Sequence, residues 1–421
     1  MAVFVFGPLP SERARVRITA VKPKYAVGEV IEFIERSVHR AQPFCPVFGI
    51  CGGCQVQHLN YDQQLDWKRG IVRNALQRIG GIQDARVEPT IGMGNPREYR
   101  NKMALVVDHA SASTGFGLYK QRSHDIVPIE QCPIVQRKLN QCLEGLIDAR
   151  RDPTLSAVFS RASHLVARTS RASGQSVVTV TTRRAEQMRP SASNAMLKRL
   201  PGVAGITQSF DLASENAILG RRQRTLAGTN AVEETVGGIR LRISASSFFQ
   251  VNIEVLERIF EKIAPMLAPP RRIIDLYCGS GAFTLLFAKF GCDVFAVEEN
   301  ASAVAEAREN AALNRLSKLV TFRCGRVEQI LQRPEGAGVL RAADTVFLDP
   351  PRKGSDPQTL STIAAAGTRA LWYLACDPAT LARDLKLLVA KGYCVSSVQP
   401  FDMFPQTGHV ETLAVLSRME H

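Results

Sequence analysis

The chain is 421 residues long with 45% hydrophobic and 22% charged residues, enough to bury two or three separate cores. No apolar run approaches the roughly 18 residues of a membrane span, and Met1–Pro10 lacks the basic start of a signal peptide, so a cytoplasmic protein with no membrane partner is expected. The net charge of +14 is segregated: residues 245–421 carry 19 basic and 19 acidic side chains, so the whole surplus lies in residues 1–244, as in a neutral reaction module joined to a polyanion-binding one.

In chain order, residues 1–42 alternate apolar and polar side chains, as in Arg15-Val16-Arg17-Ile18-Thr19 and Val30-Ile31-Glu32-Phe33-Ile34. The period of two predicts strands of a small β-barrel of the kind that grips RNA, in a segment too short to close one. Ten cysteines in a cytoplasmic chain do not read as a disulfide framework. Cys45, Cys51 and Cys54 crowd into the pattern C-x5-C-x2-C, and Cys132 in Glu130-Gln-Cys-Pro-Ile is the best candidate for a fourth ligand. Four such thiols suit either an iron–sulfur cluster or a zinc ion. Cys142, Cys292, Cys324 and Cys394 read as ordinary small packing residues.

Residues 62–79 have the spacing of an amphipathic helix, with Leu65, Ile71, Val72, Leu76 and Ile79 on its apolar face. Residues 88–235 read as β-rich, with strands at Met103–Val107, Ser163–Arg168 and Ser176–Thr181, and with exposed loops at Arg183–Ser193 and Gly220–Gly228. Arg97-Glu-Tyr99-Arg100-Asn-Lys102 reads as a pocket-facing strand in which Tyr99 stacks a base and Arg100 reaches a phosphate or carbonyl.

From residue 245 strands alternate with helices: helix Val255–Met266, strand 272–276, helix 282–290, strand 293–297, helix 301–314, then strands near 319–323, 344–348 and 370–375. That alternation predicts a doubly wound α/β domain, which binds ligands at the carboxyl ends of its strands. One strand runs into Asp275-Leu-Tyr-Cys-Gly-Ser-Gly-Ala-Phe-Thr, a glycine turn opening a helix, and Glu298 follows the next strand, where an acid can accept from ribose hydroxyls. The loop continues Ala282-Phe283-Thr284 without a third glycine, so it suits S-adenosylmethionine better than a dinucleotide with a pyrophosphate to seat. Two further strands end in Asp349-Pro-Pro-Arg and in Cys376-Asp-Pro, and Thr407-Gly-His-Val-Glu411 enters a last strand at Leu413–Leu416. A thiol at such an edge is a candidate nucleophile if a partner lowers its pKa, and Arg352, Lys353 and Arg383 are near in sequence.

Taken together, Ser247-Phe-Phe-Gln250-Val-Asn252, the Asp275–Thr284 loop, Asp349-Pro-Pro-Arg-Lys-Gly354, Cys376-Asp-Pro-Ala-Thr-Leu-Ala-Arg-Asp384 and Thr407-Gly-His-Val-Glu411 resemble the RNA uracil-5-methyltransferase family, over nearly the whole chain. The resemblance implies that the Cys376 thiolate adds to uracil C6, that C5 then takes the methyl of S-adenosylmethionine, and that Glu411 removes the C5 proton. It also implies that Gln250, Tyr277, Glu298 and Asp349 line the cofactor pocket, and that Cys45, Cys51, Cys54 and Cys132 hold a [4Fe-4S] cluster. His409 is expected to orient Glu411 or to pack. The family often has a polar residue in place of Ala282 and an Asp or Asn in place of Gly325, so cofactor contacts there are open.

The expected architecture is therefore α/β. It comprises a partial N-terminal TRAM-like barrel (1–42), a β-rich central iron–sulfur and RNA-binding domain (43–60 and 89–235), and a class I methyltransferase domain (61–88 and 236–421). The cluster and the N-terminal module tilt the expected substrate towards 23S rRNA, with the T-loop of tRNA as the runner-up, the target base being flipped out of its stack. A monomer is expected. A non-catalytic iron–sulfur RNA-binding protein is the rival from another class, and the presence of both Cys376 and Glu411 argues against it.

Overall fold

A computed structural model describes residues 1–109, 115–185, 188–214, 217–267 and 271–419. The chain begins with a three-stranded sheet, β1 (Ala2–Val5), β2 (Arg13–Val21) and β3 (Tyr25–Glu35), in the order β1-β3-β2. Exposed pairs Arg13–Glu35, Arg15–Glu32 and Arg17–Glu29 cross between β2 and β3. The cysteine-bearing loop follows, then helix α1 (Tyr61–Ala75), which Asn60 starts by accepting from the Gln63 amide. The helix ends in a wider π turn, Leu76–Gly80.

The face that α1 buries differs from the expected apolar stripe. Val72 and Leu76 are buried, whereas Ile79 is exposed and its place on the buried face is taken by Gln64 and Lys68. Both polar side chains find partners in residues 402–406, which lie far away in the chain.

The middle of the chain is one seven-stranded sheet. Its strands are β4 (Lys102–Asp108), β5 (Gly115–Tyr119), β6 (Ile126–Pro128), β7 (Ala162–Thr169), β8 (Ser176–Thr182), β9 (Val203–Phe210) and β10 (Arg222–Gly228), in the order β10-β9-β8-β7-β4-β5-β6. Helices α2 (Arg137–Ala149), α3 (Pro153–Phe159) and α4 (Pro190–Arg199) pack on one face, around Leu143, Leu155, Val180 and Met196. Two expectations change here. Gly220–Gly228 is mostly an edge strand, its arginines alternating along the pairing with β9. The expected loop Arg183–Ser193 already carries the start of α4, while residues 186 and 187 within it lie outside the described residues.

A hairpin, β11 (Ala231–Val236) and β12 (Ile239–Ser244), leads through α5 (Ile253–Ile263) into the second seven-stranded sheet. There β13 (Arg272–Leu276), β14 (Asp293–Glu298), β15 (Val320–Cys324), β16 (Thr345–Leu348) and β17 (Ala370–Ala375) run parallel, and β18 (Tyr393–Phe401) and β19 (Glu411–Arg418) close one side as an antiparallel pair. The order is β15-β14-β13-β16-β17-β19-β18. Helices α6 (Ala282–Lys289), α7 (Ala301–Leu313), α8 (Val327–Gln332), α9 (Pro334–Ala342), α10 (Pro357–Ala366) and α11 (Pro378–Ala390) connect these strands.

Because both faces of this sheet are covered, its inner strands are mostly apolar and their alternation sorts side chains between two cores. Ile273, Phe347, Trp372 and Leu374 face one of them, and Ile274, Val346, Leu371 and Tyr373 face the other. Strand order reverses between β13 and β16, which opens a crevice at their carboxyl ends. Of the cysteines expected to pack inside, Cys142 and Cys292 are buried, but Cys324 and Cys394 are exposed because both lie on edge strands, Cys324 at the carboxyl end of β15 and Cys394 on the exposed side of β18.

Candidate functional site

Four strand ends converge on that crevice. Tyr277 follows β13, Glu298 ends β14, Asp349 follows β16 and Cys376 follows β17. Ala375 pairs with Thr412, so continuing the antiparallel register by one residue sets Cys376 opposite Glu411 at the start of β19. Gln250 arrives from the loop before α5, held by Asn101, whose amide donates to the Gln250 carbonyl at 3.0 Å. All six sequence-predicted residues line one cavity of about 1120 Å³, together with Arg352, His409, Phe404 and Ser355. That is large against the roughly 300–1,000 Å³ of ordinary ligand pockets.

The glycine turn shapes one half of it. Gly279 and Gly281 are left-handed, and a side chain at Gly281 would press on Ala307 at 3.2 Å. Tyr277 is left-handed as well, and its hydroxyl lies 3.0 Å from the Ser355 hydroxyl. The Glu298 carboxylate accepts the Gly279 amide at 3.1 Å and the Asn300 amide at 2.8 Å, one on each oxygen. Each oxygen keeps a second lone pair for a ligand hydroxyl. Behind the loop, Asp275 is fully buried and accepts from Thr284, and burial pushes its carboxyl up to about 8. Cys278 lines the same cavity, and burial holds its thiol well above the usual range.

The other half holds sulfur and two carboxylates. Burial pushes the Cys376 thiol up to about 11; the Glu411 and Asp349 charges add to that, and Arg352 opposes it. Burial raises Glu411 to about 7, and burial with the Glu411 charge holds Asp349 well above the usual carboxylate range. The Glu411 Oε1 has no hydrogen-bond partner, though the residue is buried. Cys376 stands just before the N-terminus of α11, whose cap is Asp377, accepting from Ala379 and Thr380 at 2.9 and 3.0 Å. His409 is half-buried, with the Arg352 guanidinium 3.3 Å from its Nε2.

Cys45, Cys51, Cys54 and Cys132 are brought together around a second, smaller pocket of about 170 Å³, walled by Val47, Phe48, Leu118 and Ile129. Arg100 and Lys102 line it too. Burial raises the thiols of Cys51, Cys54 and Cys132, that of Cys54 to about 12. Among the described residues, no group of three or more Cys, His, Asp or Glu is gathered in a way that would hold a metal ion.

Tyr99 does not stack a base. It is 3% exposed and its hydroxyl donates to the Pro405 carbonyl at 3.0 Å. The expected strand begins only at Lys102, and Arg97 stacks over Phe44 at 4.0 Å. Phe248, 77% exposed on the cavity rim, is the aromatic side chain that sequence reasoning passed over. Its signal was present: in Ser247-Phe-Phe-Gln one phenylalanine packs in the core, as Phe249 does, and leaves its neighbour outside.

Comparison with known proteins identifies the relatives of this site. A sequence model of the tRNA (uracil-5-)-methyltransferase family matches residues 60–419. An uncharacterized RNA methyltransferase of Bacillus cereus is 36% identical over 426 residues, covering 99% of this chain and 92% of that protein. One from Gloeobacter violaceus is 35% identical over 427 residues, covering 99% and 91%. Among solved structures, the Pyrococcus abyssi tRNA (uracil-54, C5)-methyltransferase in complex with S-adenosyl-L-homocysteine superposes with a TM-score of 0.76 at 24% identity, covering 99% of this chain and 95% of that one.

Proposed function

The chain belongs to the tRNA (uracil-5-)-methyltransferase family, and from that premise we propose that it methylates C5 of a uridine in 23S rRNA through a covalent bond between Cys376 and uracil C6. The observation that carries the mechanism is the placement of one sulfur and two carboxylates at neighbouring strand ends of a single cavity. S-adenosylmethionine, when bound, supplies the methyl group. Gln250, Tyr277, Glu298 and Asp349 are its lining residues in this reading, with Glu298 on the ribose hydroxyls and Gly279 admitting the backbone close to the ligand.

C5 of uracil is a weak nucleophile. Once the Cys376 thiol has lost its proton to solvent and the thiolate bonds to C6, the electron pair of the C5–C6 double bond moves onto the C5–C4 enolate, and C5 can capture a methyl group. The adduct then holds both methyl and hydrogen on C5. Glu411 takes that proton, the C5–C6 double bond re-forms, and the C6–S bond breaks to return the thiolate. A base must be ionised before it can accept a proton, and a carboxyl near 7 is poised for this at neutral pH. The unpartnered Glu411 Oε1 suits the part, since its acceptor is not spent on the protein.

The residues of the smaller pocket fit an iron–sulfur cluster held by Cys45, Cys51, Cys54 and Cys132. Four thiols around one pocket are the donor set such a cluster takes. Arg100 supplies positive charge beside these thiols, while burial with Arg168 and Arg100 lowers Lys102 to about 7. RNA enters this reading through the basic half of the chain, with Phe248 stacking a base at the rim.

The second reading is the same chemistry on tRNA. It is favoured by the description of the matching family, tRNA (uracil-5-)-methyltransferase. Mass-spectrometric mapping of 5-methyluridine in 23S rRNA and tRNA from a deletion strain decides between them. Loss confined to 23S rRNA supports the first reading, loss confined to tRNA replaces it with the second, and loss from neither rejects both.

A further inference from the structure

Glu411 enters the cavity at the end of a segment, Asp402–Val410, that has no regular secondary structure. A base has to be held to a fraction of an ångström, so something must fix this loop. The polar residues on the buried face of α1 do so. Gln64 Nε2 donates to Gln406 Oε1 at 3.0 Å, and the Gln406 amide donates back to Gln64 Oε1 at 3.1 Å. From the cysteine loop, the amides of Gln55 and Val56 both donate to the Gln406 carbonyl, at 2.9 and 3.1 Å. Gln406 Nε2 in turn reaches the Pro96 carbonyl at 3.4 Å. Every polar group of Gln406 is thus spent on holding the loop.

Its backbone needs that support. Gln406 is left-handed, with φ of 70°, a conformation that a side chain other than glycine keeps only where its surroundings impose it. Neighbouring anchors share the load: Lys68 donates to Asp402 at 2.5 Å and to the Phe404 carbonyl at 3.0 Å, and Tyr99 to the Pro405 carbonyl. The Thr407 hydroxyl donates to the Phe404 carbonyl at 2.8 Å and accepts from the His409 amide at 3.2 Å, carrying the fixed geometry up to the residues that precede Glu411.

We propose that Gln406 is a positioning residue for Glu411, locked by its reciprocal amide pair with Gln64 and by the two backbone amides that follow Cys54. The proposal rests on Glu411 being the base of the reaction. It assigns to α1 and the cysteine loop a share in the proton-abstraction step, although neither contributes a side chain to the cavity.

The test uses the full chain with Gln64→Ala, Gln406→Gly and the double variant; glycine keeps the left-handed backbone while removing the side chain. Three measurements are made: steady-state methylation, denaturing gels for an enzyme–RNA adduct, and hydrogen exchange of residues 402–410. Each single variant is expected to lower kcat about tenfold, with KM for S-adenosylmethionine within about twofold of the parent and adduct accumulating. The double variant is expected to be no worse than the weaker single one, since both remove the same lock. Faster exchange across 402–410 with an unchanged kcat would overturn the proposal, as would a fall in kcat matched by weakened cofactor binding. If Glu411→Gln keeps full activity, the reading of the base has failed, whatever Gln64 does.

Discussion

A single thiol and a set of four, all half-buried, sit in one chain and face opposite surroundings. At Cys376 the neighbours are carboxylates, Glu411 and Asp349, with Arg352 and a backbone hydrogen bond pulling the other way. Around Cys45, Cys51, Cys54 and Cys132 the neighbours are other thiols, apolar walls and Arg100, with Lys102 lowered to about 7 by burial and by the nearby Arg168 and Arg100. A sulfur among carboxylates stays protonated until the reaction calls for it and has a proton acceptor beside it. Sulfurs beside one another, an arginine and apolar walls are set to share an electron-deficient centre. The same residue type is thus assigned to attack in one place and to ligation in the other by what packs around it.

The sharpest break of that comparison is Cys376→Ala. Methyl transfer from tritiated S-adenosylmethionine to unmodified RNA is expected to fall by about three orders of magnitude or more, with the four-cysteine pocket intact. Undiminished transfer would remove the covalent mechanism.

Next in size is Glu411→Gln. Addition and methyl transfer still proceed, but the C5 proton stays, so a denaturation-resistant enzyme–RNA adduct should accumulate while product release drops by about a hundredfold. The parent enzyme's kcat should rise with pH through about 7, as Glu411 loses its proton, and that limb should vanish in the variant. A flat parent profile between pH 6 and 8 would deny the carboxylate its role.

A smaller effect is expected from Cys54→Ala, which leaves the nucleophile in place. The apparent unfolding midpoint should drop by roughly 5 °C or more, with any visible absorbance of the purified protein lost and S-adenosylmethionine affinity unchanged. An unaltered midpoint and spectrum would make these four thiols ordinary packing residues.

The smallest is Arg352→Ala. Removing the one cation that favours the thiolate should push the Cys376 thiol further up, slowing its alkylation by iodoacetamide at pH 8 about three- to tenfold. No change in alkylation rate would show that Arg352 acts on the substrate rather than on the sulfur.

Asp402 and Lys68 show where sequence reasoning stops. Their ion pair is completely buried, and opening such a pair costs about 3–5 kcal/mol, yet on the helical pattern Lys68 reads as a solvated residue. Ile79 errs in the opposite sense, an apolar residue at helical spacing left exposed where the helix widens into its π turn. Tyr99 was misread because its partner is the backbone of residue 405, and nothing near position 99 announces it.

The amino-acid sequence by itself determined the alternation of strands and helices after residue 245, the glycine turn, the four cysteines and the family. Each of these is written in short local patterns: apolar runs that end in special residues, or fixed spacings. The tertiary structure alone decided that Cys376 faces Glu411 across a strand register, and that Phe248 rather than Tyr99 is the open aromatic. It alone joined a glutamine on α1 to another 342 residues later. Such pairings depend on where distant backbone segments come to lie, because a buried polar group declares its partner only once the chain has packed around it.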